Sequence, residues 1–167
     1  MIIIIFGVSG VGKTTIGTLL ANDLGWQFYD ADDFHSAANV AKMRSGTPLN
    51  DEDRKGWLES LHNLIIDLQA KSENAVLACS ALKRSYREYL FVNMDVKGVL
   101  LQADFSTIAN RMGGRSEHFM NPALLQSQFD TLELPDDEQI FVLDASKSPA
   151  DLLGELRNLN LSGSEQG

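Results

Sequence analysis

Gly7-Val8-Ser9-Gly10-Val11-Gly12-Lys13-Thr14 lies between an apolar run, Ile2 to Phe6, and a segment with helical periodicity. The stretch fits G-x-x-x-x-G-K-[ST], and its flanks are the strand and the helix that this pattern requires. Its glycines let the backbone curl so that successive N–H groups point inward and bind phosphate oxygens. The start of the following helix adds partial positive charge. Lys13 is expected to bridge the β- and γ-phosphates, and Thr14 to ligate Mg²⁺. The pattern therefore predicts use of a nucleoside triphosphate. It leaves three kinds of protein open: a small-molecule kinase, a GTPase switch, and a motor or assembly ATPase. No N-K-x-D guanine signature is present, and 167 residues leave little room for the modules of a large ATPase. These points favour a kinase.

Outward from the loop, short apolar runs alternate with amphipathic segments. Ile2 to Phe6 is continuous and β-branched, as in a parallel strand buried on both faces. Further strands are expected at Trp26 to Tyr29, Ala75 to Cys79, Gly98 to Leu101 and Ile140 to Leu143. Helices are expected over 14–24, with Ile16, Leu19, Leu20 and Leu24 inward, and over 36–44, 51–70 and 83–91. Phe105, Ile108 and Met112 mark another, interrupted at Gly113-Gly114. Asn121-Pro122 and Ser148-Pro149 open the last two, with proline in the first turn. Five strands alternating with helices predict an α/β, three-layer fold around a five-stranded parallel sheet. One domain over 1–160 is expected, with a polar substrate-side segment at about 30–58 and a frayed tail at 161–167.

Composition narrows the partners. The net charge of −9 argues against a nucleic-acid binder. No stretch approaches the roughly 18 apolar residues of a membrane helix. MIIIIF has no basic flank before it and breaks after six residues, so it reads as a strand rather than a leader. The single Cys79 excludes an intrachain disulfide and fits a reducing, cytoplasmic setting. His35 and His62 have no metal-ligand spacing with Cys79, so no zinc site is expected.

Asp30, Asp32 and Asp33 follow the second strand. Read as extended chain, Asp30 and Asp32 point to one side. There they can divide labour between supporting Mg²⁺ and accepting the proton of an attacking hydroxyl. Asp144 competes for the metal-supporting role, but turn chemistry ahead of Ser148-Pro149 is the favoured reading. Arg111 and Arg115 flank the glycine pair and predict a lid at about 111–121 that closes over the triphosphate. Ten of the 14 Lys and Arg residues fall in such segments: Lys13, Lys42, Arg44, Arg54, Lys55, Lys83, Arg84, Arg87, Arg111 and Arg115. Positive charge is thus expected around one anion-binding cleft.

The chain resembles the gluconokinases of the small P-loop type, relatives of shikimate kinase. The resemblance spans about residues 3–157 and rests on GVSGVGKTT (7–15), FYDADDFH (28–35), NVAKMRSGTPLNDEDRKGWL (39–58), ACSALKRSYRE (78–88) and HFMNPALLQSQFDTLELP (118–135). It implies transfer of phosphate from ATP to the 6-hydroxyl of D-gluconate, and commonly a homodimer. Residues 7–15, including Thr15, would hold the nucleotide, with Arg111 against adenine and Arg115 on the lid. Asp30 would sit near Mg²⁺, and Asp32 would bind and deprotonate the acceptor. Arg54 looks like the arginine that pairs with the substrate carboxylate, as a guanidinium fork can bind both oxygens. Lys83, Arg87, His35 and His118 resemble acceptor-side residues. The chain departs from the family at Glu117, where glycine is usual, and at Gly113-Gly114, where bulkier residues are usual. Glu117 is expected to point outward. Another sugar acid, shikimate or a nucleoside monophosphate is the alternative acceptor. A nucleotide switch without an acceptor is the alternative outside that class.

Overall fold

A computed structural model describes residues 1–113, 122–136, 140–159 and 161. Strands β1 (Ile2–Phe6), β2 (Gln27–Asp30), β3 (Ala75–Cys79), β4 (Val96–Gln102) and β5 (Ile140–Asp144) form one sheet in the order β2-β3-β1-β4-β5. All four pairings are parallel. The helices are α1 (Lys13–Leu24), α2 (Ala37–Arg44), α3 (Asp51–Ala70), α4 (Arg84–Leu90), α5 (Phe105–Gly113), α6 (Pro122–Thr131) and α7 (Pro149–Asn158).

β1 is the middle strand, and every residue from Ile2 to Phe6 is fully buried. Its side chains alternate between two cores. Ile3 and Ile5 pack in one with Ile16 and Leu20 of α1, Ile108 of α5, Leu125 of α6 and Leu156 of α7. Ile2, Ile4 and Phe6 pack in the other with Leu61 and Ile65 of α3 and Leu90 of α4. Helices on both faces explain why β1 is apolar throughout instead of alternating. The expected three layers and five parallel strands are all present. No helix among the described residues is long and apolar enough to cross a membrane.

Several local expectations change. The second strand begins at Gln27, and α5 continues through Gly113, the first of the expected glycine breaks. Leu24 is 40 % exposed, because α1 ends there at Gly25 and its inward face is Ile16, Gly17, Leu20 and Ala21. Leu161, assigned to the tail, is 6 % exposed and joins the core of α7. Arg115, Glu117, His118 and Asn121, and with them most of the expected lid, lie outside the described residues.

The chain order puts a switch point at the carboxyl end of β1. β3 and β2 lie to one side of it, and β4 and β5 to the other. Crevices at such points are where open α/β sheets bind ligands. The phosphate loop starts here. Gly7, Gly10 and Gly12 all have positive φ, at 144°, 77° and 105°. Gly7 also lies so close to β4 that a Cβ would sit 2.6 Å from the Leu101 carbonyl oxygen. That oxygen belongs to backbone and cannot move aside. Gly7→Ala is therefore expected to cost about 1–3 kcal/mol. Calorimetry should show a melting point lowered by several degrees, and an unchanged melting point would contradict the contact.

Candidate active site

One cleft of about 380 Å³ opens at the carboxyl ends of β1, β2 and β3. The phosphate loop forms one wall through Ser9, Gly10, Gly12, Lys13, Thr14 and Thr15. Gly7, Val8 and Val11 do not line it; the two valines are buried beneath and hold the loop's shape. Part of the loop's own backbone is already committed. Gly7 N–H donates to the Ser80 carbonyl at 3.3 Å, and Val11 N–H to the Val8 carbonyl at 3.4 Å. Lys13 Nζ donates to the Val8 carbonyl at 2.8 Å. Burial pushes the Lys13 pKa down, against the attraction of Asp32.

The acidic segment is not extended. Asp30 ends β2, and Ala31–Phe34 winds into a 3₁₀ turn that the Asp30 side chain caps, accepting from Asp32 N–H at 2.9 Å. The extended-chain reason for placing Asp30 and Asp32 on one side therefore fails. The tight turn brings both to the same cleft by another route. Thr14 Oγ1 donates to Asp30 Oδ2 at 2.8 Å, so two hard oxygen ligands already meet beside Lys13. This donor set fits Mg²⁺, which takes oxygen ligands and keeps several waters. Asp32 reaches into the open cleft, and its side chain is 84 % accessible. The surrounding walls, and next the neighbouring Asp30 charge, raise its pKa, with Lys13 opposing. Asp144 is occupied otherwise: it accepts from Ser146 N–H at 2.9 Å and Ser146 Oγ at 2.6 Å, which is turn chemistry.

Arg54 reaches the cleft from the first turn of α3. The sequence Asn50-Asp51-Glu52-Asp53 starts that helix with a capping box, Asn50 and Asp53 each satisfying the other's backbone N–H. Lys42 of α2 pairs with Asp53 at 2.8 Å, and Asn39 Nδ2 donates to the Asp53 carbonyl at 2.7 Å. These contacts lock α2 onto the start of α3. Tyr86 then holds Arg54 from α4. Its hydroxyl lies 3.3 Å from Arg54 Nη1 and donates to Asp51 Oδ1, and the guanidinium sits over its ring at 5.7 Å.

His35 lines the cleft stacked on Trp57, with ring centroids 4.7 Å apart and planes at 7°. Trp57 is fixed in turn by donating to the Ala31 carbonyl at 2.8 Å. His35 Nδ1 is buried with no hydrogen-bond partner among the described residues.

Two expected acceptor-side residues are placed elsewhere. Lys83 does not line the cleft and pairs with Asp51 at 2.7 Å. Arg87 is buried and donates to the carbonyls of Ala81, Leu82 and Glu133 at 2.8–2.9 Å. Its guanidinium also lies over Phe6, 5.3 Å from the ring centroid. A buried guanidinium needs several acceptors, and here carbonyls use it as a structural clamp. Arg111, in the last turn of α5, is near enough to Asp144 to stabilise its charge, and it does not line the cleft. Of the ten basic residues expected around the cleft, Lys13, Arg44 and Arg54 line it. Lys42, Lys83, Arg84 and Arg87 are held by carboxylates or carbonyls. The motif reading missed Gln128, which lines the cleft, and Tyr86, which holds Arg54 from outside it. Their only signal is their place inside the segments ACSALKRSYRE and LLQSQFDTLE.

Residues 9–147 match the family model for shikimate kinase. A probable gluconokinase of Xenopus tropicalis is 42 % identical, over 93 % of this chain and 91 % of that protein. A gluconokinase of Gluconobacter oxydans is 44 % identical, over 92 % and 88 %. The crystal structure of a gluconokinase from Sinorhizobium meliloti superposes with a TM-score of 0.82 at 36 % identity, covering 96 % of each chain.

The His35 environment makes a test. Burial first, then the Arg54 charge, lowers its pKa to about 4. The unfolded chain binds this proton near 6.5 and the folded chain near 4. The ring's contribution to stability is therefore whole above pH 6.5 and is lost progressively as the pH falls toward 4. Ring resonances followed by NMR should show a neutral His35 throughout the neutral range. A midpoint near the ordinary histidine value would contradict this environment.

Proposed function

The chain belongs to the gluconokinases of the shikimate kinase family, and we propose that it transfers the γ-phosphoryl of ATP to the 6-hydroxyl of D-gluconate, giving 6-phospho-D-gluconate and ADP. One observation carries this reading: a single cleft gathers the phosphate loop, the Asp30–Asp32 turn and Arg54. The gluconokinases it resembles span nearly the same length.

In the proposed mechanism, Arg54 pairs with the gluconate carboxylate, and Tyr86 keeps its fork oriented. Asp32 receives the proton of the 6-hydroxyl as that oxygen attacks the γ-phosphorus. The bond from the γ-phosphorus to the bridging oxygen breaks, and ADP leaves with the electron pair. A raised carboxylate pKa suits a base that must accept a proton near neutral pH. Lys13 exchanges the Val8 carbonyl for phosphate oxygens. Thr14 and Asp30 would hold Mg²⁺, which would supply neutralisation of the charge on the transferring phosphoryl. Neutral His35, flat against Trp57, would offer hydrogen bonds to sugar hydroxyls rather than charge. By resemblance, Arg111 packs on adenine, Arg115 and His118 act from a lid at 111–121, and the assembly is a homodimer; the single Cys79 suits a cytoplasmic setting. Positioning and electrostatics carry most of the acceleration in such transfers.

A coupled ADP-release assay tests the acceptor. Turnover is expected with D-gluconate and background rates with shikimate, nucleoside monophosphates or no acceptor. A preference for any of these over gluconate would overturn the reading. Two variants should then separate binding from chemistry. Arg54→Ala should raise KM for gluconate about 10- to 100-fold, the worth of a charged hydrogen-bonded pair. Asp32→Asn should lower kcat about 10²- to 10⁴-fold with little change in ATP binding.

A further inference from the structure

Gln128 makes a contact that the mechanism above does not use. Its Oε1 accepts a hydrogen bond from Ser9 N–H at 2.6 Å, joining residues 119 positions apart. Ser9 is in the phosphate loop, where inward N–H groups serve phosphate oxygens. The amide oxygen of Gln128 thus holds a donor of the kind that the loop presents to nucleotide. Gln128 lines the same cleft as Lys13 and Thr14, so it is inside the region a triphosphate must enter.

The contact is held at a fixed reach. α6 carries Gln128, and the chain just after α6 is tied to the β3–α4 loop. Glu133 N–H donates to the Leu82 carbonyl at 2.9 Å, and the Glu133 side chain accepts from Arg84 N–H at 2.7 Å. The Arg87 clamp adds a third bond, to the Glu133 carbonyl at 2.8 Å. Lys13 makes a parallel choice, giving its ammonium to the Val8 carbonyl. Two donors of the phosphate-loop segment are therefore satisfied from within the chain. For Lys13 the acceptor is the loop itself. For Ser9 it is a side chain on a separate helix.

We propose that Gln128 is an internal competitor of the nucleotide's phosphates: its amide oxygen occupies the Ser9 N–H, lowers nucleotide affinity, and must withdraw when phosphate binds. This rests on the kinase reading only in taking the loop as a nucleotide site. Because α6 carries the competitor, nucleotide binding changes the hold of the phosphate loop on this helix. A glutamine suits the role because it is a neutral acceptor. A carboxylate would bind the N–H more strongly and repel the phosphates.

The test is titration calorimetry with ADP and with a non-hydrolysable ATP analogue, Mg²⁺ present and gluconate omitted. Gln128→Leu and Gln128→Met remove the acceptor at similar volume. Both should bind nucleotide about 3- to 10-fold more tightly, the worth of one neutral hydrogen bond. Gln128→Glu should bind at least about 10-fold more weakly, given the stronger charged bond. Unchanged or weaker binding by the folded Leu or Met variant overturns the proposal, as does wild-type affinity in the Glu variant. The melting temperature of each variant confirms folding. Since no acceptor is present, failure of the gluconate assignment leaves this outcome untouched. Absence of nucleotide binding in the wild-type protein would instead overturn the kinase reading.

Discussion

The approach of Gly7 to the Leu101 carbonyl is the constraint on which the site depends. It fixes where the phosphate loop leaves β1 and pins it against β4, at the point where the sheet's chain order reverses. Only a residue without a Cβ fits there. The buried β1 beneath it, with helices on both faces, gives the loop a rigid base. Val8 and Val11 extend that base by burying their side chains under the curl. The inward N–H groups are thus presented by packing that was complete before any ligand is considered.

The opposite wall is assembled by polar contacts. The capping box at Asn50 and Asp53, with Lys42 and Asn39, seats α2 on the start of α3 and delivers Arg54 to the cleft. Tyr86 and Asp51 link that helix start to α4. Arg87 connects the β3–α4 loop to the chain after α6. The cleft is therefore bounded by an apolar-backed loop on one side and a hydrogen-bonded frame on the other. The frame spends cations on structure. Lys42, Lys83 and Arg87 are consumed in holding elements together, which leaves few positive charges facing the substrate.

That distribution refines what a net charge of −9 means. Clustering of Lys and Arg along the chain overstates the positive field in the cleft, because carboxylates of the frame neutralise several of them. The carboxylates near the phosphates have separate tasks. Asp30 caps a turn and meets Thr14, while Asp32 faces the cleft, where desolvation and the Asp30 charge raise its pKa. One short 3₁₀ turn separates the two environments.

The sequence by itself determined the sheet, the phosphate loop and most helix positions, because these follow from local periodicity and from a motif whose glycines have one use. The bounds of α3 and β3 are those the apolar spacing predicts. The Ser148-Pro149 helix start is also present, with Ser148 accepting from Asp151 N–H. Residues chosen by charge or by resemblance were a different matter. Whether Arg87 faces the cleft or clamps carbonyls depends on where Glu133 lies, 46 residues away. Whether Gln128 reaches Ser9 depends on how α6 docks. His35 stays neutral into the acid range because burial first, then the Arg54 charge, lowers its pKa to about 4. A side chain's chemistry is set by partners distant in the chain, and only tertiary structure brings those partners together.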